Sequence, residues 1–185
     1  MNAPYQIGLI DESHVPQILE IYTPFVLSTT TSFETEVPGL ESFTARVKDY
    51  ASKAPWLVAA HEGEVLGYAY ATAHRSRGAY RWNQEVTVYV HPNHRKKGIA
   101  RALYQKLLSL LRHMGYTKAL ALITLPNEPS IGFHKSLGFE HIGDMPEVGF
   151  KFDQWHTTSW WHLPLQEENY VPGELLTVSE IYELL

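Results

Sequence analysis

The stretch Gln84-Glu85-Val86-Thr87-Val88-Tyr89-Val90, continued by His91-Pro92-Asn93-His94-Arg95-Lys96-Lys97-Gly98-Ile99-Ala100, decides how this chain is read. Its first half alternates and is rich in β-branched residues, the pattern of a strand. Pro92 and Asn93 stop that strand. After Gly98 the apolar residues Ala100, Leu103, Leu107, Leu110 and Met114 recur at helical spacing, and Gly115 follows at the C-cap position. A strand, a basic glycine-bearing turn and a helix together form a device for holding a phosphorylated ligand. The first-turn amides of a helix lack partners within it, and its dipole adds partial positive charge there. Gly98 lets backbone come close to the ligand, while Arg95, Lys96 and Lys97 supply countercharge. The spacing of a Walker loop is absent, and only one glycine of a dinucleotide fingerprint is present.

Working outward toward the N-terminus, Tyr5 to Ile10 reads as a strand. Asp11-Glu12-Ser13 then offers N-cap oxygens, and Pro16 fits a first helical turn. Val15, Ile18, Leu19 and Tyr22 form a helical stripe that Pro24 is expected to disturb near its end. Thr29 to Glu34, which carries Phe33, is either an exposed loop or a substrate-side lid. A second helix is predicted over Leu40 to Lys53. Trp56–Ala60 and Val65–Ala73 read as strands joined by a hairpin at Glu62-Gly63. His74 to Arg81 contains three arginines in seven residues. They are either a solvated cluster or a grip on an anionic substrate, since a guanidinium binds both oxygens of a carboxylate at once.

Toward the C-terminus, Ala119–Thr124 is an apolar strand. Leu125 to Ser130 forms a turn into a short helix ending at Leu137-Gly138-Phe139. Glu140–Lys151 and Thr157–Leu163 read as closing strands around a turn at Asp153-Gln154. The order predicts an α+β domain built on a mixed sheet flanked by helices. The crossover helix Ile99–Met114 makes the central strand and Ala119–Thr124 parallel neighbours, and the Arg95–Ala100 turn falls at their carboxyl ends, where ligands collect. Residues 1–165 are expected to form the domain. Residues 166–185, acidic and with Pro172-Gly173, form an extension expected to pack on that domain or on a partner, with a short helix over Glu180 to Leu185.

The 185 residues suit one domain with a substantial core. A formal charge of −5 argues against nucleic acid as the main partner, despite the local basic run. The lack of cysteine excludes disulfides and thiolate chemistry. No signal pattern and no membrane-spanning apolar run is present, so the chain reads as soluble and cytoplasmic with no membrane partner. His91 and His94 lack a nearby acidic third ligand, so no metal is expected.

The spacing Arg95-x-x-Gly98-x-Ala100, placed after Val88-Tyr89-Val90, resembles the acetyl-CoA-binding motif of the GNAT superfamily of N-acetyltransferases. The likeness runs from Ile7 to Leu165. It is similar in particular to the phosphinothricin N-acetyltransferase branch, through Ser32-Phe33-Glu34-Thr35-Glu36, Pro55-Trp56-Leu57-Val58-Ala59, Arg77-Gly78-Ala79-Tyr80-Arg81-Trp82, Glu85 to Val90, Leu125 to Ser130 and Val148-Gly149-Phe150-Lys151-Phe152. The resemblance implies a twisted, mostly antiparallel mixed sheet whose central parallel strands splay apart to admit pantetheine, and it implies a homodimer. It places Val88, Tyr89 and Val90 against pantetheine and the acetyl carbonyl. Arg95, Lys96, Lys97, Gly98, Ile99, Ala100 and Arg101 lie at the pyrophosphate, and Asn127 and Ser130 beside the CoA arm. Phe33, Arg75, Arg77, Tyr80 and Tyr89 line the amino-acid pocket. Glu85 matches the general base. His134 stands where much of the superfamily has a proton-donating tyrosine, which leaves the identity of the acid open: His134 is a general acid, a substrate ligand or a satisfied helix histidine, and Tyr104 is either an alternative donor or a packing residue.

Acyl transfer to nitrogen needs a neutral amine, and an α-ammonium must first lose a proton. Glu85 could remove it, or could simply be a strand carboxylate in a cross-strand ion pair. The expected activity is acetyl-CoA-dependent N-acetylation, by direct transfer, of a small amino-acid analogue such as phosphinothricin or methionine sulfoximine or sulfone. Acetylation of peptide or protein N-termini or of another small amine, and non-catalytic CoA binding, are the alternatives.

Overall fold

A computed structural model describes residues 5–184. The first four residues of the expected domain and Leu185 of the expected terminal helix lie outside the described residues. Seven strands form one sheet, ordered β1 (Gln6–Leu9), β2 (Trp56–His61), β3 (Glu64–Ala73), β4 (Asn83–Val90), β5 (Lys118–Thr124), β7 (Gln154–Pro164), β6 (Glu140–Lys151). All neighbours are antiparallel except β4 and β5. That parallel pair registers only Asn83 with Lys118, Gln84 with Ala119 and Glu85 with Leu120, after which the two strands part.

Helices cover both faces. α3 (Ile99–His113) packs its Leu103, Leu107, Leu110 and Leu111 stripe against Val86 of β4 and against Ala119, Ala121 and Ile123 of β5. On the other face α1 (Val15–Ser28) and α2 (Leu40–Lys53) bury Ile18, Ile21, Tyr22, Phe43 and Val47 against Trp56, Tyr68 and Tyr89. The two-residue period of β4 therefore sends Val86 to the α3 side and Tyr89 to the α1–α2 side.

Two expectations from sequence need correction. Helix α1 does not break at Pro24 but continues to Ser28. Pro24 removes one amide, yet it lies on the exposed side of the helix while Ile21, Tyr22 and Val26 are buried on the other, so packing outweighs the missing bond. The closing hairpin turns at Phe152-Asp153 rather than Asp153-Gln154, and β7 begins at Gln154. Phe152 and Asp153 take φ of 54° and 57°, the doubly left-handed pair whose twist suits a two-residue hairpin. The residues after β7 lie along the end of α3. Leu176 N–H donates to Met114 O at 3.0 Å, the Trp82 indole donates to Gly173 O at 2.9 Å, and Ile181 is buried.

Candidate active site

Beyond Glu85 the edge of β4 has no registered partner in β5, and a cavity of about 510 Å³ opens between the two strands. Val88, Tyr89, Val90, Arg95, Ala100, Asn127, Ser130 and His134, all expected at the site, line it. A second cavity of about 440 Å³ is lined by Lys96, Gly98, Ile99 and Arg101. The two share Val90, Arg95, Ala100, Pro129 and Phe133, so they form one groove leading from the start of α3 into the split.

The groove's outer end is shaped by backbone. Lys96 and Gly98 adopt φ of 61° and 80°, the left-handed residues of the turn that leads into α3. Gly98 precedes Ile99 as the N-cap without a side-chain capping bond, leaving first-turn amides of α3 for an anion. Arg95 bends inward, its guanidinium 5.4 Å from the Phe25 ring centre. Lys97 lines neither cavity, and its ammonium is 3.4 Å from His94 Nδ1. Arg101 donates to Ser136 Oγ at 2.6 Å. Asn127 caps α4 (Glu128–Lys135) by accepting from Ser130 N–H at 3.2 Å.

A buried polar chain crosses the floor of the split. Tyr104 on α3 donates to Val86 O at 3.0 Å, just past the last registered β4–β5 pair. His134 Nε2 lies 3.2 Å from the same hydroxyl, and His134 Nδ1–H donates to Ser130 O at 2.8 Å. Burial lowers the His134 pKa from 6.5, opposed by the Ser130 carbonyl, so the ring is neutral near pH 7. With Nδ1 protonated, the Nε2 lone pair and the Val86 carbonyl compete for the single Tyr104 proton.

The residues expected on the acceptor side are more scattered. Glu85 does not line the split; its Oε1 is 2.7 Å from His74 Nδ1, and the two side chains are 32% and 16% exposed. His74 stands edge-on to Tyr80 and Trp160. Glu85, His74, Tyr80 and Trp160 thus form one cluster. Arg75 and Arg77 line a different cavity of about 430 Å³, with Lys53, Arg81 and Gln84. Phe33 packs over Gly149, near the His156 ring. Phe25, Thr29, Thr31 and Thr87 also border the split and were not assigned from sequence. Thr87 was within reach, since it alternates with Glu85 and Tyr89 on one strand face. His74 was not, because a lone histidine after a strand has no pattern.

The sequence model of the acetyltransferase (GNAT) family matches residues 16–139. The chain belongs to the GNAT acetyltransferase family. This GNAT protein is 32% identical over 158 residues to a phosphinothricin N-acetyltransferase of Streptomyces viridochromogenes, covering 85% of this chain and 86% of that one. It is 36% identical over 160 residues to an L-methionine sulfoximine/L-methionine sulfone acetyltransferase of Pseudomonas aeruginosa, covering 85% and 93% of the two chains. A solved phosphinothricin acetyltransferase from Sinorhizobium meliloti, in complex with AcCoA, superposes with a TM-score of 0.88 at 33% identity, over 93% of this chain and 95% of that one. The fold class expected from sequence is therefore the fold of this acetyltransferase. Among the described residues no helix is long and apolar enough to cross a membrane.

Proposed function

We propose that this enzyme transfers the acetyl group of acetyl-CoA directly to the α-amine of a small amino-acid analogue, with phosphinothricin and methionine sulfoximine or sulfone as leading substrates. The observation that carries this reading is the continuous groove from the unpaired amides at the start of α3 into the β4–β5 split. The residues present fit the cosubstrate. Backbone N–H groups and Arg95 suit a pyrophosphate, and the free strand edge from Val88 to Val90 suits the amides of a pantetheine arm. The names of the relatives support an amino-acid-like acceptor.

Glu85 takes the ammonium proton and the freed amine attacks the thioester carbonyl. Backbone N–H of Tyr89 or Val90 holds the oxyanion as the tetrahedral centre forms. The C–S bond then breaks, the thiolate takes a proton from the His134–Tyr104 pair, and the second proton of the attacking nitrogen leaves to solvent, from which the pair is reprotonated. His74 supports the base by hydrogen-bonding Glu85. Arg75 and Arg77 engage the substrate's carboxylate or tetrahedral oxygens. A second copy of the chain covers the exposed apolar residues Ile142, Met145, Val148, Phe150 and Trp155 on β6 and β7. The reaction's dependence on acetyl-CoA fits a cytoplasmic setting.

The test is thiol release from acetyl-CoA with a panel holding these three analogues, ordinary amino acids and a peptide with a free N-terminus. Release with the analogues, and no acetylated protein by mass spectrometry when amine is omitted, is the expected result. Release with the peptide alone, or an isolable acetyl-enzyme, would overturn the reading.

A further inference from the structure

We propose that Lys151 is a positioning residue for the amine substrate. Its ammonium, reaching from the end of β6, fixes the α1–α2 loop that walls the acceptor end of the split. The inference rests on the acceptor reading given above. Lys151 is 4% exposed and donates to Val26 O at 2.7 Å, Thr29 O at 2.9 Å and Ser32 O at 2.7 Å. These three carbonyls use all three ammonium protons, so the bonded geometry belongs to the charged form. Val26 O lies in the last turn of α1, where carbonyls lack helical partners and the dipole favours a cation. Thr29 O and Ser32 O belong to the loop that follows.

The position of this ammonium sets it apart from an ordinary packed lysine. Among the described residues it forms no ion pair; Glu34 acts on it only from a distance, and the Phe152 ring lies 4.8 Å away. Glu34 is itself paired with Arg46. Burying an unpaired cation is costly, and a methionine would fill the same space without that cost. What the cation adds is control of a loop whose Thr29 and Thr31 line the split. Two residues before Lys151, Gly149 abuts the Phe33 ring, and a Cβ there would overlap it. Immediately after it, Phe152 holds the left-handed φ of 54° that closes the hairpin. From the opposite side Tyr22 and Ser32 hydroxyls meet at 2.6 Å. The loop is thus clamped between α1–α2 and the closing hairpin.

The experiment compares wild type, Lys151→Met and Lys151→Arg by amide hydrogen exchange over residues 29–34 and by steady-state kinetics. Lys151→Met is expected to speed exchange across the loop and to raise the amine KM about ten-fold, with the acetyl-CoA KM changed less than two-fold. Lys151→Arg, which keeps the charge, recovers part of both losses. Unchanged exchange in Lys151→Met, unchanged amine KM, or equal shifts in both KM values would overturn the proposal. Should the methionine variant fail to fold, the wild-type ammonium decides. A slowly exchanging lysine Nζ–H signal by NMR is expected, and rapid exchange of every lysine ammonium would overturn the tether. Wild type inactive with every amine would sink the acceptor reading, while the exchange arm would still judge the clamp.

Discussion

The two ends of the split are built by different means. The end at α3 is made mainly from one stretch, Val88 to Arg101, with Pro129 and Phe133 of α4 as its far wall, and works through backbone: free strand edges, left-handed Lys96 and Gly98, and first-turn amides. The end proposed for the acceptor draws side chains from the α1–α2 loop, the 74–82 loop, β4 and the closing hairpin, joined in part by contacts that span long stretches of chain. Backbone geometry tolerates side-chain change and suits a cosubstrate of fixed structure. An assembly of side chains can be altered one residue at a time, which suits an acceptor that differs between relatives.

The contrast can be broken most sharply at Glu85. Glu85→Gln should lower turnover by about 10²- to 10⁴-fold, the usual range for a lost general base. Acetyl-CoA affinity measured by calorimetry should be unchanged; an equal loss in both would merge the two ends. Gly98→Val should do the reverse. A β-branched residue at a φ of 80° costs about 1–2 kcal/mol, so acetyl-CoA should bind about ten-fold more weakly, with the amine KM little altered. Arg77→Ala should raise the amine KM several-fold and leave the acetyl-CoA KM alone. Unchanged amine kinetics there would leave the cavity around Arg77 outside the acceptor site. The smallest effect belongs to His134, which lies between the ends. Its pKa is lowered from 6.5 by burial, so below that pH the unfolded chain binds a proton that the folded chain refuses. Stability is full above pH 6.5 and is lost as pH falls from there toward the depressed folded value. Thermal melts between about pH 7 and about pH 5 should show a shallower loss for His134→Gln than for wild type. Parallel curves would contradict the assignment.

This division also explains what could be read in advance. The strand, turn and helix from Gln84 to Gly115 are local features, and their period and punctuation gave the groove's outer end directly. Leu40–Lys53 came out with the expected bounds because its stripe is regular, Gly39 precedes it, and Pro55 forces Ala54 into an extended conformation. Pro24 misled, because a single-residue rule cannot weigh which face of α1 is buried. The hairpin turn lies one residue earlier than expected because Phe152, a poor left-handed residue by itself, takes that conformation in the two-residue turn. In the sequence Lys151 is only the last residue of a strand and one member of a family-like segment. No spacing announces three carbonyls more than a hundred residues away. His74 and Glu85 meet because β3 and β4 pair in register, which is a property of the sheet and not of either segment.

Three residue pairs join β4 to β5, and everything to one side of them is β1 through β4, everything to the other β5, β7 and β6. The molecule is therefore two slabs sharing a short seam, with α3 bridging behind. A ligand lying in the seam acts as mortar, touching both slabs where peptide does not. In its absence the slabs should breathe against each other first along that line, and saturating acetyl-CoA should make them melt as one block.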